Sequence, residues 1–364
     1  MGIKLTAGES FATGALSKGC QLCIKGKKLV LFVTGKCNQK CFYCTLSNHR
    51  WQTDNVFANE RPIKNDTDII DEVKKCGSKG AGITGGEPLL VMDRVVDFIK
   101  LLKKSFGKQF HIHMYTNGTL ATDANLKRLK EAGLDEIRIH MDREAVKRAL
   151  KLKGWKVGME VPCMPGKEEE LCQLVDYLEK IHAHFLNLNE LEFSDRNIAP
   201  MERLGLTLLT DSLTAVKGSH DTAMKVLKYA EKRRLPVHFC TAKLKMNHQL
   251  RNRLFNRASR IKRPFEQVTP DGFLIRGEIL TNDLQEAARI LRREGVTQFA
   301  INTVKHRIEL SAKEAEKLSK SLPFKVAIVK EYPSAQPWEW ELTPLNYRPD
   351  PAKAKLREEG KGND

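Results

Sequence analysis

From Leu29 to Phe193 short apolar runs alternate with stretches whose apolar positions recur at helical spacing. Leu29-Val30-Leu31-Phe32-Val33 is an unbroken apolar run of strand length and predicts a strand at 29–35. In Asp93 to Leu102 the apolar residues fall instead at the spacing of one helical face, which predicts a helix near 92–105 laid on a sheet. The same pattern gives a helix at 66–78, strands at 81–85 and 110–115, a helix at 122–132 and a strand at 135–141. A helix at 144–152, a strand at 157–162, a helix at 167–182 and a strand at 185–193 complete the series. Repeated strand–helix units imply parallel strands with right-handed crossovers, hence an α/β fold built on an open partial barrel of the (βα)6 type. Ligands of such sheets gather at the carboxyl ends of the strands.

The rhythm breaks after Ser194. Residues 195–219 read as irregular, followed by a helix at 220–233, a strand at Leu235 to Cys240 and a helix at 247–261. A small α/β C-terminal domain is expected at 266–346, with strands at 266–278, 298–309 and 324–331 and helices at 282–294 and 312–320. Trp338 and Trp340 either stack on nucleic-acid bases or belong to the core of that domain. The expected organisation is an N-terminal segment at 1–28, the barrel at 29–195, an extension with a basic helix at 196–265, the C-terminal domain, and a disordered tail at 347–364.

Composition changes the picture in two respects. No apolar run approaches the ~18 residues that a membrane span needs, so no membrane partner is expected. The formal net charge is +17, and residues 232–265, which hold no Asp or Glu, carry eleven of those charges. Within the helix at 247–261, Leu250, Leu254, Ala258 and Ile261 share one face, and Arg253, Arg257 and Arg260 form an adjoining stripe. With Arg251 and Lys262 they form a set suited to the phosphates of RNA, the leading candidate partner. An acidic protein surface or plain solvation of the face are the other readings.

The candidate chemistry starts at the exit of the first strand, in Cys37-Asn38-Gln39-Lys40-Cys41-Phe42-Tyr43-Cys44. Thiolates hold iron–sulfur clusters, and a four-iron cubane takes four ligands; three cysteines leave one iron for an exchangeable ligand. A second motif, Thr84-Gly85-Gly86-Glu87-Pro88, ends the next strand, and a third, Thr116-Asn117-Gly118, ends the one after. Together these resemble the radical S-adenosylmethionine (SAM) superfamily, and within it proteins related to the pyruvate-formate-lyase activating enzyme. The resemblance implies that Cys37, Cys41 and Cys44 hold a [4Fe-4S] cluster, with Tyr43 as the signature aromatic. It implies that Gly85, Gly86 and Glu87 receive the amino group of SAM, which is cleaved reductively to a 5′-deoxyadenosyl radical. An electron donor such as ferredoxin or flavodoxin is implied as well. Polar residues at the ends of apolar strands, Asn117, His140, Glu160, Asn189 and Ser194, must either pair within the protein or face the cavity.

Six cysteines remain of nine. Cys20-Gln21-Leu22-Cys23 precedes the first strand, and strand alternation puts His238 and Cys240 on one face. As a Cys3His set these four suit structural zinc or a second cluster; a buried cysteine and a surface pair able to form a disulfide is the other reading. Cys76 and Cys172 read as core, and Cys163 as an inert small hydrophobe or a residue that quenches a radical or carries a methyl group. So many thiols, three of them on iron, point to a reducing cytoplasm. The expected function is radical SAM modification of RNA. A radical SAM enzyme acting on a protein or peptide, and a zinc- and nucleic-acid-binding scaffold, are the alternatives.

Overall fold

Strand β1 (Lys28–Phe32) is the first of seven parallel strands in the computed structural model, which describes residues 2–347. β2 (Gly80–Thr84), β3 (His111–Thr116), β4 (Glu136–Ile139), β5 (Lys156–Cys163), β6 (Phe185–Glu190) and β7 (Val237–Cys240) follow it. They lie side by side in chain order. Short antiparallel pieces, Phe57–Ala58 and Arg61–Pro62 beside β1, Phe11–Ala12 and Lys4–Leu5 beside β7, extend the sheet to eleven strands and leave it open, a partial barrel.

Helix α1 (Lys18–Ile24) precedes β1. Between successive strands run α2 (Asp66–Cys76), α3 (Met92–Phe106), α4 (Asp123–Ala132), α5 (Arg143–Lys151), α6 (Glu168–Lys180) and α7 (Ser219–Ala230). Their ends follow local chemistry. Asn65 and Asp68 form a reciprocal capping box at the start of α2, and Gly77, at φ 59°, closes it in the left-handed conformation that favours glycine.

Parallel register fixes which side chains face the helices. Leu29, Leu31, Ile83, Ile112, Met114, Ile137 and Ile139 are fully buried and join the apolar stripes of the helices, such as Val95, Ile99 and Leu102 of α3, in one core. The alternate residues, Lys28, His113, Glu136, Arg138 and Asn187, are polar and also buried. The opposite face of the sheet is therefore lined by hydrogen-bonding groups, and it is there that the functional residues collect.

The strand at 237–240, assigned from the sequence to an extension, is instead the seventh parallel member, pairing Leu186 to Asn189 with Val237 to Cys240. An apolar run behind an irregular segment carries no mark of the edge that it joins; the uncovered edge of β6 decides. Among the described residues no helix is long and apolar enough to cross a membrane.

The chain divides into two compact units, Met1–Arg253 and Leu254–Asp364, with the division inside helix α8 (Arg251–Ile261). The second unit contains β8 (Leu274–Leu280), α9 (Leu284–Arg293), β9 (Phe299–Asn302), β10 (Arg307–Leu310), α10 (Ala312–Leu318), β11 (Lys325–Tyr332) and β12 (Trp338–Pro344). Its antiparallel sheet runs β9-β10-β8-β11-β12, with Gln267–Val268 paired to β8. One face, with Ile279, Ile308, Leu310 and Val326, packs on α9 and α10. The other buries a network in which Arg276 meets Glu278 and Glu331 at 2.9 and 2.7 Å, and Arg307 meets Glu278 at 2.7 Å.

The single strand expected at 298–309 is a hairpin, turned where the Asn302 side chain accepts the Lys305 amide at 3.0 Å. Trp338 and Trp340 lie on β12. Their rings contact each other at 5.1 Å and meet Tyr332 and Phe273 at 5.5 Å, a cluster within the sheet. The tail expected to be disordered, from Arg348 onward, lies outside the described residues.

Candidate functional site

The Cys37–Cys44 loop leaves β1 and is held by backbone and side-chain bonds from three directions. Gly35 and residues 52–53 exchange amide bonds of 2.8 and 3.0 Å, and Gln52 Nε2 donates to the Cys37 carbonyl at 3.0 Å. A Cβ on Gly35 would collide with the Arg50 carbonyl, so only glycine fits this approach. Asp54 accepts from Thr34 at 2.9 Å and from Arg94 at 2.8 Å, and Arg94 also reaches the Val33 carbonyl at 2.8 Å. The Arg94 guanidinium holds the Asp54 carboxyl well below the usual carboxylate range.

Cys37, Cys41 and Cys44, half-buried, line a cavity of about 290 Å³ at the carboxyl ends of the strands together with Gly85 and Gly86. The glycines also serve the packing of the loop itself. Cβ atoms there would strike the Thr34 and Lys36 carbonyls, to which Gly86 and Glu87 donate backbone bonds of 2.8 Å. The glycines thus let the end of β2 seat against the cysteine loop, and their own backbone then faces the cavity.

Glu87, expected to help receive the amino group of SAM, is bound within the protein. It is fully buried, and its carboxylate accepts from Thr116 Oγ1 at 2.7 Å, from the Asn117 amide at 2.7 Å and from the Leu89 amide at 2.9 Å. Three protein donors hold the carboxylate in place. Asn117, ordered by Glu87, donates to Asn38 of the cysteine loop at 2.7 Å, so that the ends of β2 and β3 and the loop form one hydrogen-bonded unit.

Deeper in the cavity Tyr43 meets His140 at 2.7 Å. Glu160 accepts from Arg138 at 2.7 Å, from Asn187 at 2.9 Å and from Asn189 at 2.9 Å. Burial alone would raise the Glu160 pKa, but the Arg138 charge and the two amides outweigh it and keep the carboxyl ionised. Ser194 turns away to accept the Asn197 amide at 3.4 Å, and Asn197 in turn bonds the Tyr43 carbonyl at 3.2 Å. Arg138 was missed in the sequence. Its signal was present: Glu136, Arg138 and His140 alternate with Ile137 and Ile139, so Arg138 shares a face of the strand with His140, which was chosen for its place at the strand end.

Cys20, Cys23, His238 and Cys240 come together around a second cavity, of about 200 Å³. Tyr115, Arg138, Glu160, Asn189 and Lys245 line both cavities, so the second is the floor of the first. Among the described residues no three His, Cys, Asp or Glu donors stand close enough together to hold an ion as they are placed, and this includes the triplet Cys37, Cys41 and Cys44. Cys76 bonds Glu72 at 3.1 Å in the core, and burial pushes the Cys163 thiol up to about 12, in keeping with an inert side chain.

The arginine stripe read as a phosphate-binding surface is largely spent within the protein. Arg253 is paired with Glu60 at 2.5 Å, and Arg257 is 5% exposed and donates to the Pro333 carbonyl at 2.8 Å. Only Arg251, Arg260 and Lys262 of the set are exposed. Other cations of the basic stretch are neutralised from elsewhere in the chain, Arg233 by Asp176 at 2.7 Å and Lys245 by Glu192. An acid-free stretch of sequence is not an acid-free surface.

The three half-buried thiols beside half-buried glycine backbone and a cavity with neighbouring carboxylate and amide groups fit a [4Fe-4S] cluster that keeps one iron open for a small polar ligand. Comparison with known proteins agrees. The Radical SAM superfamily profile matches residues 31–143, and a domain of unknown function, DUF8061, matches residues 272–345. A Methanocaldococcus jannaschii protein, provisionally named a glycyl-radical enzyme activating enzyme, is 41% identical over 354 residues, 91% of this chain and 93% of its own. The GTP 3′,8-cyclase of Limosilactobacillus fermentum is 27% identical over 182 residues, 44% of this chain and 52% of its own, so the chain spans about half of that relative. Among solved structures, Streptococcus suis SuiB bound to the precursor peptide SuiA aligns with 59% of this chain and 48% of its own, at 17% identity and a TM-score of 0.43. By its fold, its cysteine loop and its identity across nearly the whole of the M. jannaschii relative, the chain belongs to the radical SAM superfamily.

Proposed function

We propose that this enzyme abstracts a hydrogen atom from a target protein, as an activating enzyme does, and that RNA is not its substrate. The observation that carries the reading is the 41% identity to a relative named for activation of glycyl-radical enzymes, which extends through both units rather than the barrel alone. Two features support it. The basic helix spends Arg253 and Arg257 on internal partners. The segment between β6 and α7, which the structure folds around a short helix at Ile198–Glu202, exposes Leu204, Leu208, Leu209 and Leu213, apolar side chains suited to a polypeptide and not to a phosphate backbone.

In this reading Cys37, Cys41 and Cys44 hold the cluster and the Gly85–Gly86 backbone receives the amino group of SAM. When bound, the two cofactors together supply a carbon-centred radical, at the cost of one electron from a donor of ferredoxin or flavodoxin type. The chain positions and shields. Tyr43 and His140 wall the cavity, and Glu160, kept ionised, with Asn189 offers hydrogen bonds to the hydroxyls of a nucleoside. The target would give up a hydrogen atom, which would leave in 5′-deoxyadenosine, and would keep the unpaired electron on its carbon.

The test uses anaerobically reconstituted full-length protein with SAM, a strong reductant and a soluble extract of the source cells. Deoxyadenosine formation should be stimulated by the extract, survive RNase and be abolished by protease, with deuterium passing from labelled protein into deoxyadenosine. Stimulation destroyed by RNase and indifferent to protease would return the assignment to RNA.

A further inference from the structure

The cavity floor holds a set of groups that the radical chemistry above does not use. Cys20, Cys240 and His238 are at least nine-tenths buried, at 7%, 9% and 4% exposure, and Cys23 stands beside them. They come from distant parts of the chain: two from α1, ahead of the first strand, and two from β7, the last parallel strand.

His238 is the informative residue. Neither of its ring nitrogens has a nitrogen or oxygen partner in hydrogen-bond geometry, and what stands nearest is the Cys20 thiol, although the side chain is buried and lines the cavity. A neutral imidazole carries one donor and one acceptor, and burying both without partners is costly. A bond to a metal satisfies the acceptor.

The sulfurs give an independent observation. Arg138 Nη2 points at Cys20 Sγ at 3.4 Å, Asn187 Nδ2 at the same sulfur at 3.5 Å, and Gln249 Nε2 at Cys240 Sγ at 3.6 Å. Neutral thiols are weak acceptors, and Cys20 with two N–H groups and Cys240 with one would gain little from them. Sulfurs that carry charge as metal-bound thiolates are commonly surrounded in this way. Three thiolates on a dication leave one net negative charge, which the buried Arg138 guanidinium faces.

The approach of α1 is also constrained. A Cβ on Gly19 would lie 2.5 Å from Arg138 Nη2 and from His113 Nδ1, and the Gly19 amide donates to Glu136 at 3.2 Å. Only a glycine next to Cys20 lets the helix settle this closely on the polar face of the sheet.

We propose that Cys20, Cys23, Cys240 and His238 form a second metal centre, which takes a thiophilic metal and staples the segment before β1 to β7 across the polar face of the open sheet. The ligand chemistry, three thiolates and one imidazole, suits a tetrahedral zinc ion or an iron–sulfur centre. The thiols rotate to close on the metal, as those of Cys37, Cys41 and Cys44 must on theirs. The proposal holds whatever the substrate is.

Metal analysis of the full-length protein, purified without oxygen from cells supplied with both iron and zinc, tests it. The variant Cys37→Ala/Cys41→Ala/Cys44→Ala should lose the loop cluster and keep a bound metal: zinc without sulfide for a mononuclear site, iron with sulfide for a cluster. Adding Cys20→Ser/Cys23→Ser, or His238→Gln alone, should remove the retained metal. X-ray absorption on the metal kept by the triple variant should show mixed sulfur and nitrogen donors, a readout independent of whether further variants fold. A triple variant free of metal, a metal content unchanged by the Cys20 and Cys23 replacements, or a Cys20–Cys23 disulfide in the freshly isolated protein would overturn the proposal.

Discussion

Tyr43 and His140 are joined by a hydrogen bond of 2.7 Å between the phenol oxygen and Nε2. His140 Nδ1 lies 3.0 Å from the Glu160 carbonyl, which can only accept, so Nδ1 carries the proton and Nε2 accepts from Tyr43. The signature aromatic of the cysteine loop is thereby tied to the end of β4. Tyr43→Phe leaves Nε2 without a donor and should cost about 1 kcal/mol, read as a lower urea midpoint.

The same histidine gives a pH dependence. Burial lowers the His140 pKa below its ordinary 6.5, so the unfolded chain binds more protons than the folded one in the interval between the two values. The contribution of His140 is complete above pH 6.5 and is lost as the pH falls through the folded value. Melting temperature should decline below that pH, and the decline should be shallower in His140→Gln; parallel curves for the two proteins would remove His140 as its source.

Glu87→Gln isolates the support beneath the cysteine loop. Whichever way the amide is turned, its NH2 faces a backbone donor, the Leu89 amide on one side or the Asn117 amide on the other. The expected cost is about 1–3 kcal/mol. Because Asn117 holds Asn38, iron retained after reconstitution should fall as well. Full iron content with unchanged stability would mean that the carboxylate is not needed as a clamp.

Substitutions along the basic helix should separate internal from solvated cations. Arg253→Ala and Arg257→Ala strip a partner from Glu60 and from the Pro333 carbonyl, and each should cost about 1–3 kcal/mol. Arg260→Ala and Lys262→Ala, at exposed positions, should stay within about 0.5 kcal/mol. Filter binding should detect no RNA affinity with the steep salt slope of phosphate neutralisation in any of the four or in the parent.

The second unit should be sensitive to acid. Burial works to raise the Glu309 pKa, but Arg263, Arg276 and Arg307 overcome it and bring the carboxyl down to about 2. A carboxyl depressed on folding contributes stability above its ordinary 4.5 and loses it as the pH falls from there toward 2. The loss amounts to roughly 3 kcal/mol if the whole shift is realised. Glu309→Gln should flatten the acid limb of the denaturation curve.

Reading the sequence worked where each residue's neighbours along the chain decide its state. The apolar runs of β1 and β6 and the stripe of α3 fall where periodicity places them, and the cysteine loop and Gly85-Gly86-Glu87 follow the strands that the pattern predicts. It went astray where one residue serves two purposes. Gly85 and Gly86 were read only as an approach for a ligand, and the room that their missing side chains leave for Thr34 and Lys36 went unseen. Arg257 reads as a surface cation because nothing nearby in sequence is acidic, and it is buried by Pro333, far along the chain.

The sequence by itself determined the alternation of strand and helix, the three-thiol loop and the family, because spacing and residue type carry those properties locally. Only the tertiary structure decided that β7 joins the sheet, that Glu87 is a clamp, that Arg138 commands the cavity, and that Cys20 and Cys23 meet His238 and Cys240 on its floor. These depend on which distant groups a buried polar atom finds when water is gone, and that choice is made by packing.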